Sequence, residues 1–113
     1  MHELGIINAM VKTIERVVKD EGLSEVDTLV LEVGELSGVV PRFLEECYPA
    51  AVYKTFMEHT KLQLDVVPGI VRCRACGREF NAMRHDLRCP GCGGQDMEIL
   101  GGNDLIIKEI VCR

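Results

Sequence analysis

The sequence predicts an α+β protein, in which a small mixed three-stranded sheet is packed by two helices and interrupted by an inserted cysteine-rich module. Three observations predict this fold. Two segments have apolar residues at helical spacing, and three have the alternation of side chains that is typical of strands. A segment rich in Cys, Arg and Gly separates the last strand from the rest. We therefore divide the 113 residues into an α/β domain, residues 1–72 plus 101–113, and a module of residues 73–100.

The chain begins with a helix and a strand. Residues 4–21 are predicted to form an amphipathic helix, because apolar residues recur at steps of three and four: Leu4, Ile7, Val11, Ile14 and Val18. Gly22 is placed to end this helix. Residues 27–36 are predicted to form a strand, since Leu29, Leu31 and Val33 alternate with Thr28, Val30 and Glu32.

A second helix is expected to start near Val40. Pro41 then lies in the first turn, where a missing N–H costs nothing. The apolar period continues as far as Phe56. Pro49 interrupts this pattern, and it should kink or break the helix near Glu46 or Cys47.

Two further strands follow. Leu62, Leu64 and Val66 alternate along the second strand, which Pro68-Gly69 interrupts and Ile70-Val71 is expected to resume. Residues 105–111 are predicted to form the third strand after the turn Gly101-Gly102-Asn103.

The composition excludes several classes of protein. A net charge of -5 and a pI near 5.2 argue against a general nucleic-acid binder. No apolar run approaches the roughly 18 residues of a membrane span, and acidic Glu3 stands where a secretory signal would be basic. We therefore expect a soluble cytoplasmic protein. We also expect Met1 to be retained, because removal of an initiator requires a small second residue and His2 is not small.

Two Cys-x-x-Cys pairs predict a metal site. They lie in the stretch CRACGREFNAMRHDLRCPGCGG, and the predicted ligands are Cys73, Cys76, Cys89 and Cys92. Gly77 and Gly93 follow the pairs and allow each turn to point backbone N–H groups at sulfur. Four thiolates form the closed tetrahedral set that structural Zn²⁺ prefers, as in zinc ribbons. The alternatives are iron, as in rubredoxin, which normally has more aromatic neighbours than Phe80 alone, and a pair of redox dithiols.

Charge is segregated along the chain. Five arginines lie between residues 72 and 92 against two acidic residues, whereas the rest of the chain carries eight basic and sixteen acidic residues, or -8 (from the totals of 13 and 18). This segregation fits either a solvated surface or a docking face for an acidic protein partner. The remaining cysteines, Cys47 and Cys112, are expected to be small core residues.

The first three residues are a second candidate metal site. The amine of Met1, the backbone nitrogen of His2 and its imidazole can bind one ion through fused chelate rings, and Glu3 adds a nitrogen or a carboxylate. Nitrogen-rich sets that permit square-planar geometry suit Ni²⁺ and Cu²⁺. Binding would depend on pH, because the ligands must lose protons, and an exposed labile site suits delivery of an ion. The alternative interpretation is an inert terminal histidine.

Taken together, five segments resemble the HypA/HybF family of hydrogenase nickel-incorporation metallochaperones, and the resemblance extends over the whole chain. The segments are MHE at 1–3, VGELSGV at 33–39, CRACG at 73–77, CPGCG at 89–93 and GGNDLIIKEI at 101–110. The resemblance implies that Met1, His2 and Glu3 bind nickel and that the four paired cysteines bind structural zinc.

The resemblance also implies a carrier rather than an enzyme. Such a carrier delivers Ni²⁺ to the large subunit precursor of [NiFe]-hydrogenase together with a GTPase partner, as a monomer or homodimer, and without nucleic acid or membrane. The sequence has no P-loop, so any energy for transfer must come from the partner. Two positions depart from some relatives: Val40 stands where they have a carboxylate, and His85 stands alone where they have histidines flanking the knuckles.

Two other functions remain open on the residues alone. A zinc-ribbon module that binds protein or nucleic acid would use the arginines, although few aromatic residues are present to stack on bases. A rubredoxin-like electron carrier would hold iron, and its red colour would distinguish it from a colourless zinc protein.

Overall fold

The computed structural model describes residues 2–112, and for His2 it describes the backbone alone. It contains two α-helices, six strands and a short 3-10 helix over Met83–His85. The helices are α1 (His2–Asp20) and α2 (Pro41–Val52). The strands are β1 (Val26–Gly34), β2 (Lys61–Val67), β3 (Ile70–Cys73), β4 (Glu79–Asn81), β5 (Met97–Gly101) and β6 (Leu105–Cys112). Neither of the two described α-helices is long and apolar enough to cross a membrane.

The first sheet is mixed, as the sequence predicts. Its strand order is β2-β1-β6; β1 is parallel to β2 and antiparallel to β6. Both helices pack against one face, where α1 contributes Ile7 and Ile14, β1 contributes Leu29 and Leu31, and α2 contributes Leu44 to one buried cluster. The alternation in β1 directs these leucines to the same face, so the predicted α+β architecture is confirmed.

Helix α2 does not break at Pro49, which was one of the two outcomes that the sequence predicted. It runs without a break from Pro41 to Val52 although Pro49 lies inside it. Buried Leu44, Tyr48 and Val52 hold the helix against the sheet on both sides of the proline. Only three residues follow Pro49 before the helix ends, so the loss of one backbone hydrogen bond does not break it.

The second sheet is antiparallel, with the order β4-β3-β5. The expectation that Ile70-Val71 resume β2 is wrong, since these residues form β3 and pair with β4 and β5. The proline at position 68 lacks the N–H that a continued ladder needs. Val71, Phe80 and Ala82 are the buried apolar residues of this sheet, beside Cys73 and Cys89.

The segment after β1 joins the two sheets. The N–H of Leu36 donates to the Gly102 carbonyl at 2.7 Å, and its side chain packs against the buried cluster of the second sheet. Glu35 lies beside it, and one of its carboxylate oxygens accepts from the Gly69 N–H at 2.9 Å and from Asn81 Nδ2 at 3.1 Å. Gly34 is required here, because a Cβ would collide with the Gly102 backbone. A two-residue segment therefore locks the second sheet onto the first.

Candidate metal centres

The two cysteine pairs fold into matching turns. The Gly77 N–H donates to the Cys73 carbonyl at 2.8 Å, and the Gly93 N–H donates to the Cys89 carbonyl at the same distance. Both glycines have a positive φ, 79° and 73°. A side chain would be strained in that conformation, which explains a glycine after each pair.

The four sulfur atoms gather at one point. They lie within 4.8 Å of one another, and two contacts across the turns are 3.5 Å, from Cys73 to Cys92 and from Cys76 to Cys89. A tetrahedral ion with Zn–S bonds of about 2.3 Å separates its sulfur ligands by about 3.8 Å. Each turn contributes one buried and one exposed cysteine. The cluster therefore fits a single tetrahedral ion with little rearrangement.

The cysteine thiols of the cluster differ in pKa. Backbone N–H groups, first that of Cys92, lower the pKa of Cys89 to about 6. The Gly94 N–H also favours a thiolate at Cys92, but the thiols of Cys73 and Cys89 outweigh it, and the pKa of Cys92 rises to about 11. Four thiolates this close repel one another, so the cluster needs a cation to hold all four deprotonated.

Among the described residues, no other candidate side chain joins the four sulfur atoms as a possible ligand. Cys47 and Cys112 are partly buried against the core of the first sheet, as predicted for small core residues. His85 is exposed, and its ring packs edge-on against Phe80 with centroids 5.9 Å apart. Val40 is exposed and directly precedes α2.

The N-terminal candidate site is described only in part. Met1 and the side chain of His2 lie outside the described residues. Glu3 lies in the first turn of α1, and its residue surface is only 7% exposed. The sequence left open whether Glu3 contributes a backbone nitrogen or its carboxylate, and its spacing of four from Ile7 and eight from Val11 places it on the buried face of the helix.

Helix α1 and strand β1 have similar lengths. Helix α1 has 19 residues and spans about 28 Å, while β1 has 9 residues and spans about 30 Å. A short turn joins them, and the apolar residues of α1 from Ile7 to Val18 share one buried cluster with β1.

The fold and the cluster together define a class: a small α+β protein that carries a four-cysteine metal site. Comparison with known families is more specific. The chain belongs to the HypA family, since residues 1–112 match the family model described as hydrogenase/urease nickel incorporation, metallochaperone, hypA. Proteins of this family are nickel metallochaperones of hydrogenase maturation.

Individual relatives agree with this family. The chain is 37% identical over 110 residues to a hydrogenase maturation factor HypA of Geobacter metallireducens, with 97% of each chain covered. It is 36% identical over 110 residues to the protein of that name in Geotalea uraniireducens, again with 97% of each chain covered. The solution structure of the Ni metallochaperone HypA from Helicobacter pylori is similar at a TM-score of 0.68 and 15% identity, covering 97% of this chain and 96% of that one. At that identity the likeness shows the fold alone.

Proposed function

We propose that this protein is a nickel metallochaperone that binds Ni²⁺ at Met1, His2 and Glu3 and delivers it during maturation of [NiFe]-hydrogenase. One observation carries the proposal: the chain belongs to a nickel-incorporation family over residues 1–112, including the terminal MHE segment. Nickel is the cargo of this protein, and delivery requires that it leave again.

The chemistry of the terminus supports this cargo. The helix begins at His2, so its first backbone N–H groups have no intrahelical acceptor. The amine of Met1 and the His2 nitrogens form a set that suits Ni²⁺. Since Glu3 is buried, we propose that its backbone nitrogen, rather than its carboxylate, is its contribution to the site. Such a site releases nickel readily when a partner with a better ligand set approaches.

The four cysteines are proposed to hold a structural Zn²⁺. The S₄ set leaves no open position, so zinc here would stabilise the fold rather than activate a substrate. It would also balance the charge of the thiolates, whose acidities differ without it.

The proposed partners are the hydrogenase large subunit precursor, which receives the nickel, and the nickel-delivery GTPase of the same pathway. We propose that the protein acts in the cytoplasm as a carrier without catalytic residues of its own. Since the sequence contains no nucleotide-binding motif, the partner would supply any energy for release.

Isothermal titration with Ni²⁺ tests the terminal site. The zinc-loaded protein, purified without an N-terminal tag, should bind nickel, and His2→Ala should weaken binding by at least about tenfold, because a chelating ligand is lost. His59→Ala is the matched control, since the side chain of His59 is 95% exposed and lies in the turn between α2 and β2.

A second arm blocks the amine by adding one residue ahead of Met1. Nickel binding should fall while the far-UV circular dichroism stays unchanged. Equal affinity of the wild type, His2→Ala and the extended protein would disprove the terminal site.

A further inference from the structure

Strand β6 lies at an edge of the first sheet. The strand order β2-β1-β6 gives it a single neighbour, so β6 pairs with β1 on one side only. Among the described residues, no other backbone hydrogen bond involves this strand. An edge strand directs the rest of its backbone N–H and C=O groups outward, where another strand can pair with them.

The side chains of β6 leave the strand on two faces. The face beneath the helices carries four half-buried residues that pack against the core: Leu105, Ile107, Ile110 and Cys112. The face without an α-helix, here called the open face, carries the other four: Ile106, Lys108, Glu109 and Val111. Lys108 and Glu109 follow each other on the open face because the register with β1 shifts there, as in a β-bulge.

The residues of β6 are symmetric about the centre of the strand. If two copies pair antiparallel about the point between Lys108 and Glu109, apolar residues face apolar residues and opposite charges face each other, always on the same face of the sheet. The facing pairs are Leu105–Cys112, Ile106–Val111, Ile107–Ile110 and Lys108–Glu109. A shift of one or two residues in either direction puts a charged residue opposite an apolar one. The sequence of β6 therefore specifies one register for pairing with itself.

The bulge favours a copy of this chain over an unrelated strand. Bulges and lysines on an edge strand normally prevent pairing, because a regular strand does not follow the distortion. A second β6 has the same distortion, and in the symmetric register the two bulges lie opposite each other. A closed twofold arrangement is also the commonest form of a homodimer.

The charges of the open face are nearly balanced. Lys108 Nζ lies 3.3 Å from an Asp65 carboxylate oxygen, and Glu109 has no ion pair with any described residue. The charged residues of this face leave one negative charge in excess for each copy: Glu32, Lys61, Asp65, Lys108 and Glu109. Charge therefore sets the register of the pairing, whereas the apolar pairs supply the affinity.

We propose that two copies of this protein form a dimer through β6, antiparallel about a twofold axis between Lys108 and Glu109. The two first sheets then become one sheet of six strands, with the helices of both copies on the same side. Pairing satisfies the outward backbone groups of β6 and removes Ile106 and Val111 from water, which are 48% and 38% exposed in the single chain. The proposal does not depend on nickel.

Sedimentation velocity of the zinc-loaded full chain tests this interface over a range of protein concentrations. The wild type should show a reversible equilibrium between monomer and dimer. Ile106→Asp should raise the dissociation constant of the dimer by at least about tenfold, because a carboxylate is then buried opposite Val111. Val66→Asp is the matched control, since Val66 is 55% exposed on β2 at the opposite edge of the sheet, and it should leave the dimer unchanged.

Exchange of charges tests the register. In a homodimer, Lys108→Glu places carboxylates opposite each other, and Glu109→Lys does the same with amines. Each variant alone should be monomeric. An equal mixture of the two should form a heterodimer, because every Glu then faces a Lys. A merely structural role of these residues does not predict recovery on mixing.

Three results would overturn the proposal. The first is a wild type that stays monomeric at millimolar concentration. The second is a dimer that Ile106→Asp leaves intact or that Val66→Asp weakens equally. The third is a mixture of the two charge variants that stays monomeric. If far-UV circular dichroism shows that Ile106→Asp does not fold, the mixing experiment decides, since Lys108 and Glu109 are both exposed.

Discussion

The two sheets have three strands each but differ in what stabilises them. The first has two helices on one face and a continuous aliphatic core that includes Ile14, Leu31 and Leu44. The second has no α-helix of its own among the described elements, and two of the five residues in its buried cluster, Cys73 and Cys89, are candidate metal ligands. We therefore expect that buried apolar surface holds the first sheet together, whereas a metal bound by the thiol cluster stabilises the second.

Removal of the metal should give the largest difference between the sheets. A structural zinc site contributes about 10–16 kcal/mol of binding free energy, which is then available to folding. A chelator should therefore abolish the amide exchange protection of β3, β4 and β5, while β1 stays protected. Hydrogen exchange measured residue by residue gives the protection of both sheets in one experiment.

Two cysteine variants serve as the test and the control for metal removal. Cys76→Ser should reproduce the effect of the chelator, whereas Cys112→Ser, in the first sheet, should keep the metal content of the wild type. If both sheets lost their amide protection together, they would unfold as one cooperative unit, and the expected difference between them would be wrong.

Truncation in the aliphatic core should have the next largest effect. Leu44 is 0% exposed in α2, and Leu44→Ala should lower the free energy of unfolding by about 3 kcal/mol, because it leaves a cavity. Urea denaturation of the zinc-loaded protein measures this. Leu23→Ala makes the same chemical change at a half-exposed position and should cost less than about 1 kcal/mol. Equal losses for the two variants would mean that burial in this core is not decisive.

Protonation of Glu35 at the junction between the sheets should have the smallest effect on stability. The Gly69 N–H, the Asn81 amide and the Arg84 charge hold the pKa of Glu35 below its ordinary value of 4.5. The carboxylate therefore stabilises the junction above that value, and this contribution is lost as the pH falls through the lowered pKa of the folded state. A carboxyl NMR titration should show that Asn81→Ala raises the midpoint of Glu35 toward 4.5. Asn8→Ala, in α1, should leave it unchanged, and an unchanged midpoint in Asn81→Ala would show that Asn81 is not a partner.

Much of the first sheet could be predicted from the sequence, because its elements are long and periodic. The stripe from Leu4 to Val18 predicted α1, and the alternation around Leu31 predicted β1. The behaviour of Pro49 could not be predicted, since packing of Tyr48 and Val52 on either side outweighs one lost hydrogen bond. The assignment of Ile70 also failed, because two apolar residues do not specify which sheet a strand joins.

The cysteine cluster was the most predictable part of the candidate sites. The repeated Cys-x-x-Cys spacing predicted that Cys73, Cys76, Cys89 and Cys92 come together. The glycines that follow each pair, Gly77 and Gly93, predicted the turns. The contacts of Glu35 with Gly69 and Asn81 were not predicted, because they join segments that are far apart in the chain.

The sequence by itself determined the α+β class and the two Cys-x-x-Cys pairs, since periodicity and spacing are local properties of the chain, and its likeness to known proteins gave the family. The tertiary structure alone decided where those features lie relative to one another. It joined the sheets through Glu35 and Leu36, and it placed Ile70 and Val71 in the second sheet. These arrangements depend on contacts between residues far apart in the chain, and such contacts leave no periodic pattern.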